Sequence, residues 1–253
     1  TLYQTREGGN YQVKDPEKLK RIAREWGVET EGKDIYDLAH EIAEIGLLEY
    51  GKPFGTQRFL KRAPEHTQKL WNEAGIEPRA IDREVATALH MTHMGNSSLP
   101  EALVRQALRC GLSDGWGGSM MGTEFSDVLF GTPKPVDTTA NIGVMEKDNV
   151  NIVVHGHDPS LSEMIVYYAN DPEMIAYAKS MGAKGITISG VCCTSNEVAM
   201  RHGIPMAGNY LNQESVVLTG ACEAIVVDAQ CIFPALGPLS KCFHTKFITT
   251  SPI

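Results

Sequence analysis

A chain of 253 residues with ordinary apolar content is long enough to bury a core without disulfides, as one large domain or two smaller ones. Its net charge of -8 argues against the basic face on which general nucleic-acid binding rests, and no apolar run approaches the roughly 18 residues of a membrane span. Six cysteines, two of them adjacent at Cys192 and Cys193, are too few and too unevenly placed for a disulfide scaffold, so a reducing cytoplasm is the expected setting. No charged-then-apolar leader opens the sequence, which gives secretion no support. The start at Thr1 without Met, and the end at TTSPI directly after a strand-like run, lead to the expectation of a fragment of a longer polypeptide.

The first part is helical in pattern. Pro16 to Trp26 carries Leu19, Ile22 and Trp26 at helical spacing behind an Asp15 N-cap, with proline in the first turn. Ile35 to Tyr50 repeats the pattern after Asp34, and Ala80 to Met94 and Leu99 to Cys110 do so again. Gly51 to Lys61 and Gly117 to Asp127, rich in glycine and polar residues, read as connectors. From about Asp148 the grammar becomes strand, helix, strand, helix. Strands are expected at Asn151–His155, Gly185–Ser189, Pro205–Gly208, Ala224–Asp228 and Lys246–Thr250, and helices at Ser160–Ala169, Pro172–Met181, Ser195–His202, Gln213–Thr219 and Ala235–Cys242. The alternation predicts an α/β fold: a Rossmann-like parallel sheet, residues 148–253, preceded by a mainly α-helical segment, residues 1–147. Pro133 and Pro135 interrupt regular structure in the Thr132–Asp148 segment, where the boundary is expected.

Three residues stand just past the carboxyl ends of apolar, strand-like runs: His157 after NIVV, Cys193 after GITIS and Cys231 after AIVVD. In an open parallel sheet that edge is where ligands collect, because the backbone leaves the ladder there and side chains converge. Each alone has a plainer reading. A lone loop histidine is usually a hydrogen-bonding surface group, and cysteine is often buried as a small hydrophobe. Three such placements together point to a transition metal or an iron–sulfur cluster. His155 is then a partner that orients the site. Cys192 and Cys193, expected in a strand-to-helix loop before a Ser195 N-cap, divide into one ligand and one packed thiol, and a helix N-terminus there favours a thiolate. Cys110, on the apolar stripe of a helix, Cys222, before a strand, and Cys242, at a helix end, read as structural. His90 and His93 in HMTHMG share a helical face at i, i+3 but have no zincin-type glutamate between them, so packing is the reading taken. No GxGxxG, GxxxxGK[ST] or GxSxG motif is present, which leaves nucleotide binding and a serine nucleophile without support.

The segments TEFSDVLFGTPKPV (123–136), VNIVVHGHDPSLSEMIV (150–166), GAKGITISGVCCTSNEVAMRHGIP (182–205) and VVDAQCIFP (226–234) resemble the nickel–iron–sulfur carbon monoxide dehydrogenases, anaerobic oxidoreductases that interconvert CO and CO2. The ordered run HGH, CC, QC carries the resemblance. It implies a Ni-4Fe-4S type cluster as cofactor, with His157 and Cys193 on its outlying iron and Cys231 on a cubane iron. Further implications are additional 4Fe-4S clusters in the full-length protein, CO, CO2 and water as substrates, a homodimer and a ferredoxin-like electron carrier; an acetyl-CoA synthase subunit is left open. The family's N-terminal cysteine clusters have no counterpart here. Its proton-transfer histidine falls upstream of Thr1, and its later cysteines and catalytic lysine fall beyond Ile253, so the chain is expected to be inactive alone. Two other readings stand beside this one: a hybrid-cluster protein reducing hydroxylamine-type substrates, and a non-catalytic α/β domain with structural or zinc-binding cysteines.

Overall fold

A computed structural model describes residues 1–250. The chain divides into two compact units, Thr1–Gly131 and a second that begins at Thr132.

Helix formation in the first unit follows from local chemistry. Helix α1 (Pro16–Glu25) starts where the Asp15 carboxylate accepts the Lys18 N–H and Pro16 presets the first turn. The Asp34 carboxylate does the same for α2 (Ile35–Gly51), accepting from Tyr36 and Asp37. Helices α3 (Glu65–Ala74), α4 (Ile81–Met91) and α5 (Pro100–Ser113) follow. A single π-helical stretch, Asp114–Ser119, then leads straight into α6 (Met120–Phe130). Leu19, Ile22, Leu38, Ile42, Phe59, Met121 and Val128 form one core. Its charged margin is paired: Lys18, buried, bonds Asp127, and Arg62 bridges Glu25 at 2.7 Å and Glu124 at 2.9 Å.

Two expectations fail in this unit. The Gly117–Asp127 stretch is helical, not a connector: a Cβ on Gly117 would lie 2.7 Å from Gln57 Nε2, so that glycine is there for close approach. Burial of Met121 and Val128 outweighs the low helix propensity. His93 lies in the turn beyond the end of α4, so it does not share a helical face with His90. Helix α3, which buries no residue, gave no apolar signal and was not expected. Within the Gly51–Lys61 stretch a 3-10 turn begins at Arg58.

The second unit is the parallel sheet. Strands β1 (Val150–His155), β2 (Ile186–Val191), β3 (Met206–Gly208), β4 (Ala224–Val227) and β5 (Lys246–Thr249) lie in the order β3-β2-β1-β4-β5, all parallel. Helices α7 (Pro159–Ala169), α8 (Pro172–Ser180), α9 (Cys192–His202), α10 (Gln213–Leu218) and α11 (Leu236–Ser240) connect them. One sheet face carries Val154 and Ile188 against Val166 of α7 and Val198 of α9. The other packs Val153, Val191 and Ile225 against Val216 of α10 and Leu236 of α11. Covering both faces is what lets the strands read as continuous apolar runs. The segment after Gly131 belongs with this unit: the Met206 N–H donates to Thr139 O, Ala140 bridges Met206, and Met145 enters the core. None of the described helices is long and apolar enough to cross a membrane.

The strand order reverses between β1 and β4, so the carboxyl ends of β1, β2 and β4 surround the switch point, where doubly wound sheets place their ligands. Helix α9 sits close on β2 because position 190 has no side chain: a Cβ there would lie 2.3 Å from Ser195 Oγ and 2.9 Å from its Cα. Gly190→Ala should therefore cost about 1–3 kcal/mol of stability by overpacking. Gly185→Ala, whose nearest neighbour would be Asn149 at 3.6 Å, should be near neutral. Denaturant midpoints followed by circular dichroism check the pair, and equal midpoints would refute the packing account.

Candidate metal centre

Strand β1 hands over at its end to His155-Gly156-His157-Asp158, and β4 to Asp228-Ala229-Gln230-Cys231. The Asp228 carboxylate reaches across and accepts the backbone N–H groups of His157, Asp158 and Ala229. That reach requires Gly156, whose φ is +131° and whose Cβ, if present, would fall 2.0 Å from Asp228 Oδ1. Two loops are thus tied together by one charged acceptor, a stronger bond than a neutral one.

His157 gains its orientation from the opposite loop. Its Nδ1 lies 2.9 Å from Ala229 O, and a carbonyl only accepts, so Nδ1 carries the proton. Nε2 is left with its lone pair and faces Cys231 Sγ at 4.0 Å. Such a bond from the far ring nitrogen is what fixes the tautomer of a metal-binding histidine. Cys231 is exposed, and both it and Gln230 hold left-handed backbone, with φ of 54° and 61°. Residues with side chains rarely adopt that conformation, and at a loop tip it aims a side chain against local preference.

Cys193 is exposed on the first turn of α9, while Cys192 is buried with φ of 69°. The expected strand-to-helix loop is absent here. Helix α9 begins at Cys192 behind Val191, with no side-chain cap, and Ser195 is a buried residue within it. The first turn is held instead by the Thr194 N–H donating to Gly156 O at 2.9 Å. Burial pushes the Cys192 thiol up to about 11, with Cys231 and Cys193 adding to the effect. Burial, then Cys231, also raises Cys193. The expected thiolate-favouring effect of the helix start is overcome by desolvation. A soft cation reverses this, because a coordinating thiol is deprotonated outright.

His155 is fully buried, its Nε2 2.9 Å from Gln213 Oε1, and burial lowers its basicity. The remaining cysteines lie elsewhere. The Cys110 Sγ–H donates to Glu84 O at 3.1 Å, Cys222 is buried with its thiol pushed up to about 12, and Cys242 is exposed beyond the end of α11. Among the described residues, no three His, Cys, Asp or Glu side chains are grouped to hold one metal ion. His157 and Cys231 face each other at 4.0 Å, and Cys193 stands on the first turn of α9, just past the end of the neighbouring strand β2. One imidazole and two thiols suit a soft or borderline transition metal and disfavour calcium or magnesium. Asp228 and Gln213 went unnoticed in the sequence, and Gly156 was read only as a break in the strand. The visible signal was an aspartate ending one strand and a glycine just past the end of its neighbour.

The second unit is thus a doubly wound α/β domain with an imidazole and two thiols along one sheet edge. This chain belongs to the Prismane/CO dehydrogenase family, whose profile matches residues 2–253. It is 52% identical over 246 residues to carbon monoxide dehydrogenase 1 of Methanosarcina mazei, covering 97% of this chain and 39% of that protein. The carbon monoxide dehydrogenase of Rhodospirillum rubrum is 44% identical, with 95% and 38% covered. Among solved structures, the as-isolated Ni-free carbon monoxide dehydrogenase of Thermococcus sp. AM4 matches with a TM-score of 0.90 at 51% identity, over 96% of this chain and 38% of that one. An acetyl-CoA synthase/carbon monoxide dehydrogenase structure, described with NiZn[Fe4S4] and NiNi[Fe4S4] clusters in its alpha subunits, also scores 0.90, at 42% identity, over 98% of this chain and 37% of that one. The chain therefore spans about two fifths of the relatives it matches.

The cysteines should separate by reactivity in metal-free protein. Iodoacetamide at pH 8 should label Cys242 and Cys231 readily. Cys222 should be slower by roughly a thousandfold from thiolate fraction alone, its labelling rising only as pH nears 12. Peptide mass mapping reads the order, and equal labelling of Cys222 and Cys242 would contradict it.

Proposed function

We propose that this chain is part of an oxidoreductase that interconverts CO and CO2, and that His157, Cys193 and Cys231 hold one side of its nickel–iron–sulfur cluster. The observation that carries the reading is His157 Nε2, freed by the bond from Nδ1 to Ala229 O and facing Cys231 Sγ at the switch point. Family membership and the high identity to carbon monoxide dehydrogenases support it.

When bound, such a cluster supplies a soft metal for CO, a Lewis-acidic iron for water and an exit for two electrons. The chain's own residues do the holding. Ala229 O fixes the His157 tautomer, Asp228 locks the two loops, and Gly156 lets them approach. Cys193 and Cys231 supply thiolates, while Cys192 packs beneath the edge. The remaining ligands, the relay clusters and the groups that move protons belong to the portion of the relatives that this chain does not span. A homodimer, a ferredoxin-like carrier, an acetyl-CoA synthase partner and a cytoplasmic site are parts of the same proposal.

In the full-length enzyme prepared anaerobically, Cys193→Ala should lose at least nine-tenths of the CO-dependent dye reduction together with cluster iron and nickel. Cys192→Ala should keep its metal and lose mainly thermal stability. Metal analysis beside the activity assay decides. Equal metal in both variants and wild type removes Cys193 from the ligand set. A zinc-only protein, or one that reduces hydroxylamine without oxidising CO, overturns the function.

A further inference from the structure

Gln213, the first residue of α10, is fully buried, and every hydrogen-bonding position of its amide is used. Nε2 donates to Tyr210 O at 2.6 Å and to Cys231 O at 2.9 Å. Oε1 accepts the Phe233 N–H at 2.8 Å and lies 2.9 Å from His155 Nε2. Two carbonyls on one end of the amide and a backbone N–H on the other leave no ambiguity about which atom is oxygen. His155 therefore donates from Nε2.

These four bonds have an unusual distribution. Two of them bracket the Cys231–Phe233 turn, gripping the carbonyl at its start and the N–H at its end. That turn follows directly on the left-handed pair Gln230 and Cys231, a conformation that persists only when its surroundings hold it. A third bond goes to His155, the last residue of β1 and two before His157. One amide on a helix thus links the end of β1, from which the His157 loop departs, to the loop that carries Cys231. Asp228 ties the same loops at the backbone of His157, Asp158 and Ala229, but nothing in that cradle reaches the carbonyl of Cys231.

We propose that Gln213 is a positioning residue that holds the Cys231 turn in its left-handed form and sets the aim of Cys231 Sγ relative to His157. This deepens the assignment of Cys231 as a cluster ligand and rests on that assignment for its consequence in the loaded enzyme. A turn without this staple lets the already exposed thiol leave its position facing His157 Nε2, which changes its reactivity when metal is absent and alters the cluster's surroundings when metal is present. Buried polar groups that lose a partner rearrange rather than wait, because an unsatisfied donor or acceptor away from water is costly.

The test uses the full-length parent protein with Gln213→Met, close in size and unable to form the four bonds, and Gln213→Glu, equal in size but lacking both N–H donors. In cluster-free protein, the rate of iodoacetamide labelling of Cys231 relative to Cys242, the exposed internal reference, should change at least fivefold as Cys231 Sγ leaves His157 Nε2. In loaded protein, the cluster's redox midpoint and its electron paramagnetic resonance spectrum should shift. Gln213→Glu is read wherever Gln213→Met fails to fold. A purely structural glutamine lowers the melting temperature while leaving both the Cys231:Cys242 ratio and the midpoint unchanged, and that outcome in either folded variant overturns the proposal. The labelling arm needs no metal. A changed ratio without a changed midpoint or spectrum therefore keeps the positioning role and counts against Cys231 as a ligand.

Discussion

The second unit turns on one carboxylate. Asp228 sits at the end of β4 and accepts three backbone N–H groups, two of them from the loop that leaves β1. Parallel strands hold each other only along the ladder, and beyond its end each chain is free to diverge. A charged acceptor placed one residue past the last pair carries the register onward, so the loops stay as close as the strands were. Gly156 is the other half of the same interaction, because any side chain there would occupy the carboxylate's position. The approach of His157 to Ala229 and to Cys231 follows from it.

Packing on the two faces serves that edge. Helix α9 lies close against β2 because Gly190 has no side chain, and its first turn donates the Thr194 N–H to the Gly156 carbonyl. The turn that bears Cys193 is thereby connected to the loop that bears His157. Helix α10, on the other face, contributes Gln213. His157, Cys193 and Cys231 are thus each tied to a neighbouring helix or strand end, which limits how far their loops can move. The first unit solves a different problem, pairing the charges of Lys18, Arg62, Glu25, Asp127 and Glu124 at the margin of a helical core. Buried pairs of this kind are costly to break singly and contribute little as a sum.

Much of this was legible in the primary structure because parallel strands buried on both faces announce themselves. NIVV, GITIS and AIVV became β1, β2 and β4 within a residue or two. Proline after aspartate marked the start of α1, and the same pair stands unremarked at the starts of α7 and α8. Glycine was the misleading letter. In the Gly117–Asp127 stretch it signalled a connector, whereas Gly117 serves helix packing, a role that only the three-dimensional neighbour Gln57 reveals. The adjacent cysteines were misplaced for a related reason: α9 starts without a capping side chain, so no letter marked its first residue. His157, Cys193 and Cys231 drew attention by their position after strands, and the choice of His157 over His155 and Cys193 over Cys192 came from the family resemblance. Gln213 was invisible, because its four partners are mostly backbone atoms and backbone atoms leave no trace in sequence.

The bond from His157 Nδ1 to Ala229 O carries a further implication for how such an edge responds to occupancy. An imidazole passes charge through its ring, so a cation drawing electron density at Nε2 makes the Nδ1–H more acidic and its bond to the carbonyl shorter and stronger. That carbonyl belongs to the wall opposite the histidine and shares its peptide plane with Gln230, the first of the two left-handed residues. The ring and the left-handed pair are thus one hydrogen bond and one peptide plane apart, so the orientation of the imidazole and the shape of the bend across the crevice are set together.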